Sequence, residues 1–173
     1  QPFYFMLRDV LQFDGTVQDS VERLENGHRT VDIIAGVGDG KDDVFRGFQL
    51  SESVCNVFDD TDMMPHNDTW HKRIKDVVYW GMDWLCPGWS GKMMDVLTEL
   101  HGNITAEETV HNVPARVQTG NLHIAVYDYH QEVMFVSFHT ASQSPDDSTP
   151  VLAYERQFTR LDMAELFAPT HAL

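Results

Sequence analysis

The stretch GNLHIAVYDYHQEVMFVSFHT, Gly120 to Thr140, constrains the fold most, because it reads as two short strands around a polar turn. Apolar residues occupy both faces of each strand. In Leu122 to Tyr127 one face carries Leu122, Ile124 and Val126, and the other carries His123, Ala125 and Tyr127. In the return strand Val133, Phe135 and Ser137 oppose Met134, Val136 and Phe138. Side chains alternate across a strand, so period-2 reading hardly separates a wet face from a dry one here. Such a hairpin belongs inside a layered structure, with something covering each side of the sheet.

The rest of the chain supplies helices for one of those layers. FMLRDVLQF places Met6, Leu7, Val10 and Leu11 at helical spacing. Thr16 then offers an N-cap with Asp19 three residues on, and Val17, Val21 and Leu24 form an apolar stripe that Gly27 stops. TVDIIAGVGDGKDDVFRGFQLS reads as a hairpin with DGKDD at its tip, a solvated turn without the ligand spacing of a calcium loop. Ser51 to Trp70 reads as a polar loop. Ile74, Val77 and Val78 predict a short helix, and Tyr79, Trp80, Trp84 and Trp89 crowd the next segment, where large aromatics either pack a loop or wall a pocket. Met94, Leu97 and Leu100 make a helix that Gly102 ends. Thr105 with Glu108 carries a capping-box signature for the next helix, which Pro114 closes. ASQSPDDSTP is a loop, and AYERQFTRLDMAELF ends the chain with Leu161, Leu166 and Phe167 as anchors. The order predicts an α+β protein, helices layered on antiparallel sheet, with one face of that sheet wanting a second sheet.

At 173 residues the chain has room for one domain, residues 1–173, and no apolar run approaches the roughly 18 residues that span a bilayer. Lys plus Arg number 12 against 27 Asp plus Glu, and the formal net charge of −15 opposes binding to nucleic acid or an anionic membrane surface. The sequence starts at Gln1 without Met or a signal-like segment, which is expected of a processed product or a fragment. Two N-glycosylation sequons, at Asn67 and Asn103, point to a glycoprotein of a secreted or lysosomal-type compartment. In that setting Cys55 and Cys86 are expected in disulfides, with each other or with another chain.

Complete catalytic motifs are missing. Nine His residues show no ligand spacing for zinc, and there is no nucleophile elbow, phosphate loop or CxxC pair. Neither Cys55 nor Cys86 has a charged neighbour to activate it. His123 and His139 lie on the two strands of the opening hairpin, where they can face a cleft, and with Trp80 and Trp84 they are the candidate substrate-binding residues. Asp32 places a carboxylate early in the apolar strand RTVDIIAGV, with Arg29 nearby. It is the candidate catalytic residue or, on the plainer reading, an edge-strand polar group.

FMLRDVLQFDGTVQDSVERLENGHRT, VGDGK, VVYWGMDWLCPGW, TGNLHIAVYD and AYERQFTRLDMAELF, in this order, resemble the C-terminal part of the acyl-coenzyme A:isopenicillin N acyltransferase-like family, relatives of penicillin and bile-salt amide hydrolases. The resemblance implies an N-terminal-nucleophile hydrolase fold, four layers ordered helix, sheet, sheet, helix. It further implies hydrolysis or acyl transfer at linear amides or thioesters by an N-terminal Cys outside this chain, without a cofactor. An upstream chain of the same precursor would be an obligate heterodimer partner. The oxyanion Asn of that family falls about where Asp32 stands, and an Asp donates no hydrogen bond unless protonated. A catalytically inactive structural or ligand-binding subunit, or an ester-cleaving lipid hydrolase, are the alternatives on the same scaffold.

Overall fold

A computed structural model describes residues 1–63, 71–79, 87–142 and 149–168, with side chains from residue 91 onward in the third span. The chain is a mixture of helix and antiparallel sheet, divided into two units, Gln1–Ser90 and Gly91–Leu173.

In the first unit α1 (Phe3–Phe13) buries Met6 and Val10, while Leu11, which the spacing assigns to the same stripe, is 89% exposed. Asp14 ends the helix with its N–H on the Val10 carbonyl. α2 (Val17–Asn26) starts at the capping box the sequence predicts. The Thr16 hydroxyl accepts from the Asp19 N–H at 3.1 Å, and Asp19 Oδ2 accepts the Thr16 N–H at 3.0 Å. The Thr16 hydroxyl and then the Gly15 N–H hold the Asp19 carboxyl below the usual range. Its charge also sits at the favourable end of the helix dipole.

β1 (Ile33–Asp39), β2 (Val44–Leu50) and β3 (Cys55–Phe58) form an antiparallel meander with Ile33 opposite Leu50 and Leu50 opposite Cys55. One face carries Ile33, Ala35, Val37, Phe48, Leu50, Cys55 and Val57, and all of these pack with Met6, Val10 and Leu24 of the helices. Phe48 and Leu24 are wholly buried, each such side chain contributing about 1.5–3 kcal/mol by leaving water. On the opposite face Ile34 and Phe45 remain 40% exposed. There the Phe45 ring lies over Gly36, where an added Cβ would come within 2.5 Å of it. β3 falls inside the predicted Ser51–Trp70 loop; its four residues become a strand because β2 offers an open edge on which Val57 can join Phe48.

Residues 71–79 form a turn with a bridge between Ile74 and Val77, where a short helix was expected. Asp76 has φ 61°, outside the helical region, and its N–H is held by Asp60 Oδ2 at 2.9 Å. His71 is fully buried, bonded through Nε2 to the Tyr79 carbonyl at 3.0 Å and stacked on the Tyr79 ring.

α3 (Pro87–Leu100), most of which belongs to the second unit, buries Met94, Val96 and Leu97, and α4 (Ala106–Val117) is capped by Thr105, whose hydroxyl accepts from the Glu108 N–H. The helix runs through Pro114 instead of closing there. Val117 is 1% exposed and Arg116 grips Glu99 of α3 with Nη1 and Nη2, so the last turn is held from outside the helix. Gln118, in the left-handed region, then stops it.

β4 (His123–Asp128), β5 (Val133–Phe138) and β6 (Thr159–Asp162) make the second antiparallel sheet, and a one-turn helix α5 (Met163–Leu166) follows. β6 lies within the stretch read as a tail. Leu161 on it is half-buried, but Leu166 and Phe167 are exposed, so those two are not anchors: a single turn capped by Asp162 presents them to solvent. On one face of the sheet Val133 is buried and the Ser137 hydroxyl donates to the Ala153 carbonyl at 2.7 Å, closing a 3-10 turn over the strands. The other face is open: His123, Ala125, Tyr127 and Phe138 are all exposed.

Gly120 begins this hairpin at φ 84°, and an added Cβ would lie 2.3 Å from Ile124 Cγ1. Gly120→Ala is therefore expected to combine backbone strain with a steric clash, costing about 2 kcal/mol. Hydrogen exchange at the β4 and β5 amides reads this as a roughly thirtyfold loss of protection. Unchanged protection would mean that the turn relaxes freely.

Candidate functional site

Asp32 precedes β1 and is exposed. No hydrogen bond or ion pair to it is formed by the described residues. Arg29, its near neighbour in sequence, is committed elsewhere: Nε donates to the Ser51 carbonyl at 2.6 Å, and Nη1 donates to the carbonyls of Leu24, Glu25 and Gly27. That guanidinium closes the C-terminal end of α2 onto the loop after β2. It satisfies carbonyls that the helix end leaves open and leaves Asp32 facing solvent. Asp32 thus has the access a reacting group needs, but no orienting partner among the described residues of this unit.

His123 and His139 belong to the second unit. The His123 ring stands on the open sheet face beside Phe138, with centroids 6.4 Å apart. His139 lies one residue past β5 and is tied to Leu122, its N–H donating to the Leu122 carbonyl at 2.8 Å and its Nδ1 lying 3.3 Å from the same oxygen. The first of the pair can meet a ligand laid on the sheet. The second holds the hairpin end together. Trp80 and Trp84 lie outside the described residues, as do Asn67 and Cys86.

Cys55 forms no disulfide with any described residue; it is half-buried against the core cluster that includes Leu50, and burial pushes its thiol above its ordinary range. A raised thiol is a poor nucleophile, consistent with packing rather than chemistry. Asn103 is exposed between α3 and α4, on a turn where its own N–H bonds the Leu100 carbonyl and its carbonyl takes the Thr105 N–H. Its side chain is accessible to a transferase. We expect glycosidase treatment of the native protein to lower the mass of the peptide carrying Asn103; an unmodified peptide at full occupancy would remove the secretory assignment.

Sequence reasoning passed over Asp14, the most unusual side chain of the first unit. Its side chain is 3% exposed, and Oδ1 takes both Nε and Nη2 of Arg23, whose guanidinium also lies 5.9 Å from the Phe13 ring centroid. Oδ2 is buried with no hydrogen-bond partner. The available signal was an acid at the break between two helices, FDGT, nine residues before an Arg on the second. Asp14 borders a cleft of roughly 190 Å3 between the α1–α2 turn and the end of β1. Among the described residues, no group of three or more His, Cys, Asp and Glu is arranged to hold a metal ion, and no helix is long and apolar enough to cross a membrane.

Two curated proteins of Dictyostelium discoideum are similar to nearly the whole chain. Protein dcd1A is 34% identical over 172 residues, covering 96% of this chain and 38% of its own length. Protein dcd1B is 33% identical over 175 residues, covering 96% of this chain and 35% of its own length. The chain therefore spans little more than a third of the relatives it matches. No family profile and no solved structure matches it.

Proposed function

We propose that this chain is the C-terminal portion of a linear-amide hydrolase or acyltransferase of four-layer helix–sheet–sheet–helix architecture, whose nucleophilic Cys is supplied by polypeptide outside these 173 residues. The observation that carries the reading is the repeated asymmetry of the two sheets. Each is a three-stranded antiparallel meander with one face turned to buried packing and the other bearing exposed apolar side chains, Ile34 and Phe45 in one and Tyr127 and Phe138 in the other. An inner sheet of a sandwich has this character, since its second face is finished by another sheet about 10 Å away. Sequence similarity across the chain to longer relatives fits a portion of a larger protein.

On this reading Asp32, exposed at the head of β1, borders the reacting centre. The nucleophile attacks the amide carbonyl, its electron pair forming the new bond as the carbonyl oxygen takes the negative charge. The thiol proton passes to the nucleophile's own amino group; collapse of the intermediate expels the amine, which takes that proton, and leaves an acyl-enzyme for water or a second acceptor. In the second unit, taken by itself, the open sheet face that presents His123 offers apolar surface to an acyl or aromatic group. The maturation and activity belong to a secreted or lysosomal-type heterodimer with the upstream chain.

The carboxylate of Asp32, exposed and without a partner among the described residues, also favours a second reading, a scaffold that binds ligand or partner without turnover. Intact-mass analysis of the native polypeptide after incubation with activated linear amides separates the two. The first reading expects a transient acyl adduct on one Cys outside this chain. Absence of any adduct and of amine release, with ligand binding retained, would establish the second.

A further inference from the structure

We propose that Asn26 is a site of spontaneous deamidation in the folded protein, and that the change loosens the clamp Arg29 forms at the end of α2. This is independent of the hydrolase reading. Asn26 is the last residue of α2 and is exposed, and the glycine after it leaves the helix at φ −75° and ψ 144°. The two form the one Asn–Gly pair of the sequence. With no Cβ on Gly27, its backbone nitrogen is open to approach by the Asn26 side-chain carbon. The Asn26–Gly27 peptide is also the one that the turn leaves unheld. Arg29 Nη1 donates to the carbonyls of Leu24, Glu25 and Gly27, and Asn26 Nδ2 donates to the Glu22 carbonyl at 2.8 Å. Neither the Asn26 carbonyl nor the Gly27 N–H forms a hydrogen bond with the described residues. An exposed peptide at a helix end, without those bonds, departs from helical geometry at little cost.

Ring closure needs the Asn26 ψ to rotate out of the helical region. The Gly27 nitrogen then gives its proton to water or hydroxide and attacks Asn26 Cγ, making the new N–C bond of a five-membered succinimide. The side-chain nitrogen takes a proton from solvent and departs as ammonia. Water next adds to one of the two ring carbonyls and breaks its bond to the ring nitrogen. Opening at Cγ leaves an aspartate, and opening at the main-chain carbon leaves an isoaspartate; the net exchange is water in and ammonia out. Either product places a carboxylate at the C-terminal end of α2, where the helix dipole is negative and Glu22 stands one turn earlier. The isoaspartyl product also inserts a methylene into the main chain between the Glu25 and Gly27 carbonyls, which Arg29 Nη1 holds at 3.1 and 3.3 Å. That insertion spreads the acceptors of a guanidinium whose Nε ties the helix end to the Ser51 carbonyl at 2.6 Å.

The test incubates the native polypeptide in mildly alkaline buffer beside a free peptide spanning residues 24–30, and peptide mass mapping follows position 26 in both. Conversion in the folded protein is expected within about thirtyfold of the free-peptide rate, because a helix end opens at small cost. Asn103 and Asn121, which are also exposed but precede bulkier residues, are expected to keep their amides over the same interval. Asn26→Gln, whose longer side chain would have to close a six-membered ring, is expected to show no conversion. Hydrogen exchange at the last turn of α2 reads the consequence. Asn26→Asp is expected to quicken it about threefold, the scale of one misplaced charge at a helix end, and the aged protein, which carries isoaspartate as well, by more. Conversion slower than the thirtyfold limit, conversion of the other two asparagines at the same rate, or exchange in the aged protein no faster than before incubation would each overturn the proposal.

Discussion

Residues 1–173 expressed alone are expected to give a chain that binds apolar dyes, self-associates and yields broad NMR signals, whereas the same residues within the native polypeptide fold sharply. The expectation follows from surface that the chain leaves uncovered. Phe138 and Tyr127 are 58% and 53% exposed on one sheet, and Ile34 and Phe45 are partly exposed on the other. On α1, Tyr4, Leu11 and Phe13 add further apolar area. A soluble monomer ordinarily tolerates contiguous apolar patches of only a few hundred Å2. An upstream chain that finishes the sheets would bury well over about 2,000 Å2 in total, as obligate interfaces do. Analytical ultracentrifugation and heteronuclear NMR of the isolated segment decide the matter. A monomer with dispersed signals and one cooperative unfolding transition would rule out a shared core.

The second large effect concerns Asp32. If it stands at the mouth of an amide-cleaving site, a carboxylate there repels the oxyanion that develops on the carbonyl, while an amide of the same shape donates to it. Asp32→Asn is therefore expected to raise kcat by about a hundredfold, the scale of one oxyanion donor, with little change in KM. Because Asp32 is exposed and forms no hydrogen bond to the described residues, the substitution leaves the packing of the first unit untouched. Steady-state kinetics on a linear amide, with unchanged thermal stability as the control, provide the measurement. A variant no faster than the parent would place Asp32 outside the reacting centre.

Local signals carried much of the fold. The Thr16–Asp19 and Thr105–Glu108 pairs cap α2 and α4 as their spacing predicts, because a cap is a contact between residues three apart. Both hairpins are likewise legible from alternation and turn residues. What escaped depends on distant partners. β3 is four residues in a polar stretch and exists through its register with β2, and β6 exists through its register with β5. Asp76 leaves the helical region because Asp60, sixteen residues earlier, takes its N–H. The site was less legible. Asp32 and His123 are placed where chemistry can reach them, but Arg29 looks like a partner for Asp32 only in sequence; in space the carbonyls at the end of α2 claim it. Asp14 was harder to see because its partner, Arg23, stands nine residues on, on the next helix.

Among the described residues every strand pairs with its sequence neighbour: β1 with β2, β2 with β3, β4 with β5, β5 with β6. No crossover delays the first sheet until the second is made, and short-range pairing of this kind closes quickly. Synthesis from the end of β3 at Phe58 to the start of β4 at His123 adds 65 residues, which at roughly 5–20 residues per second occupies about 3–13 seconds. Throughout that interval the first sheet can already be formed, holding Ile34 and Phe45 toward water on the nascent chain until polypeptide outside this sheet covers them.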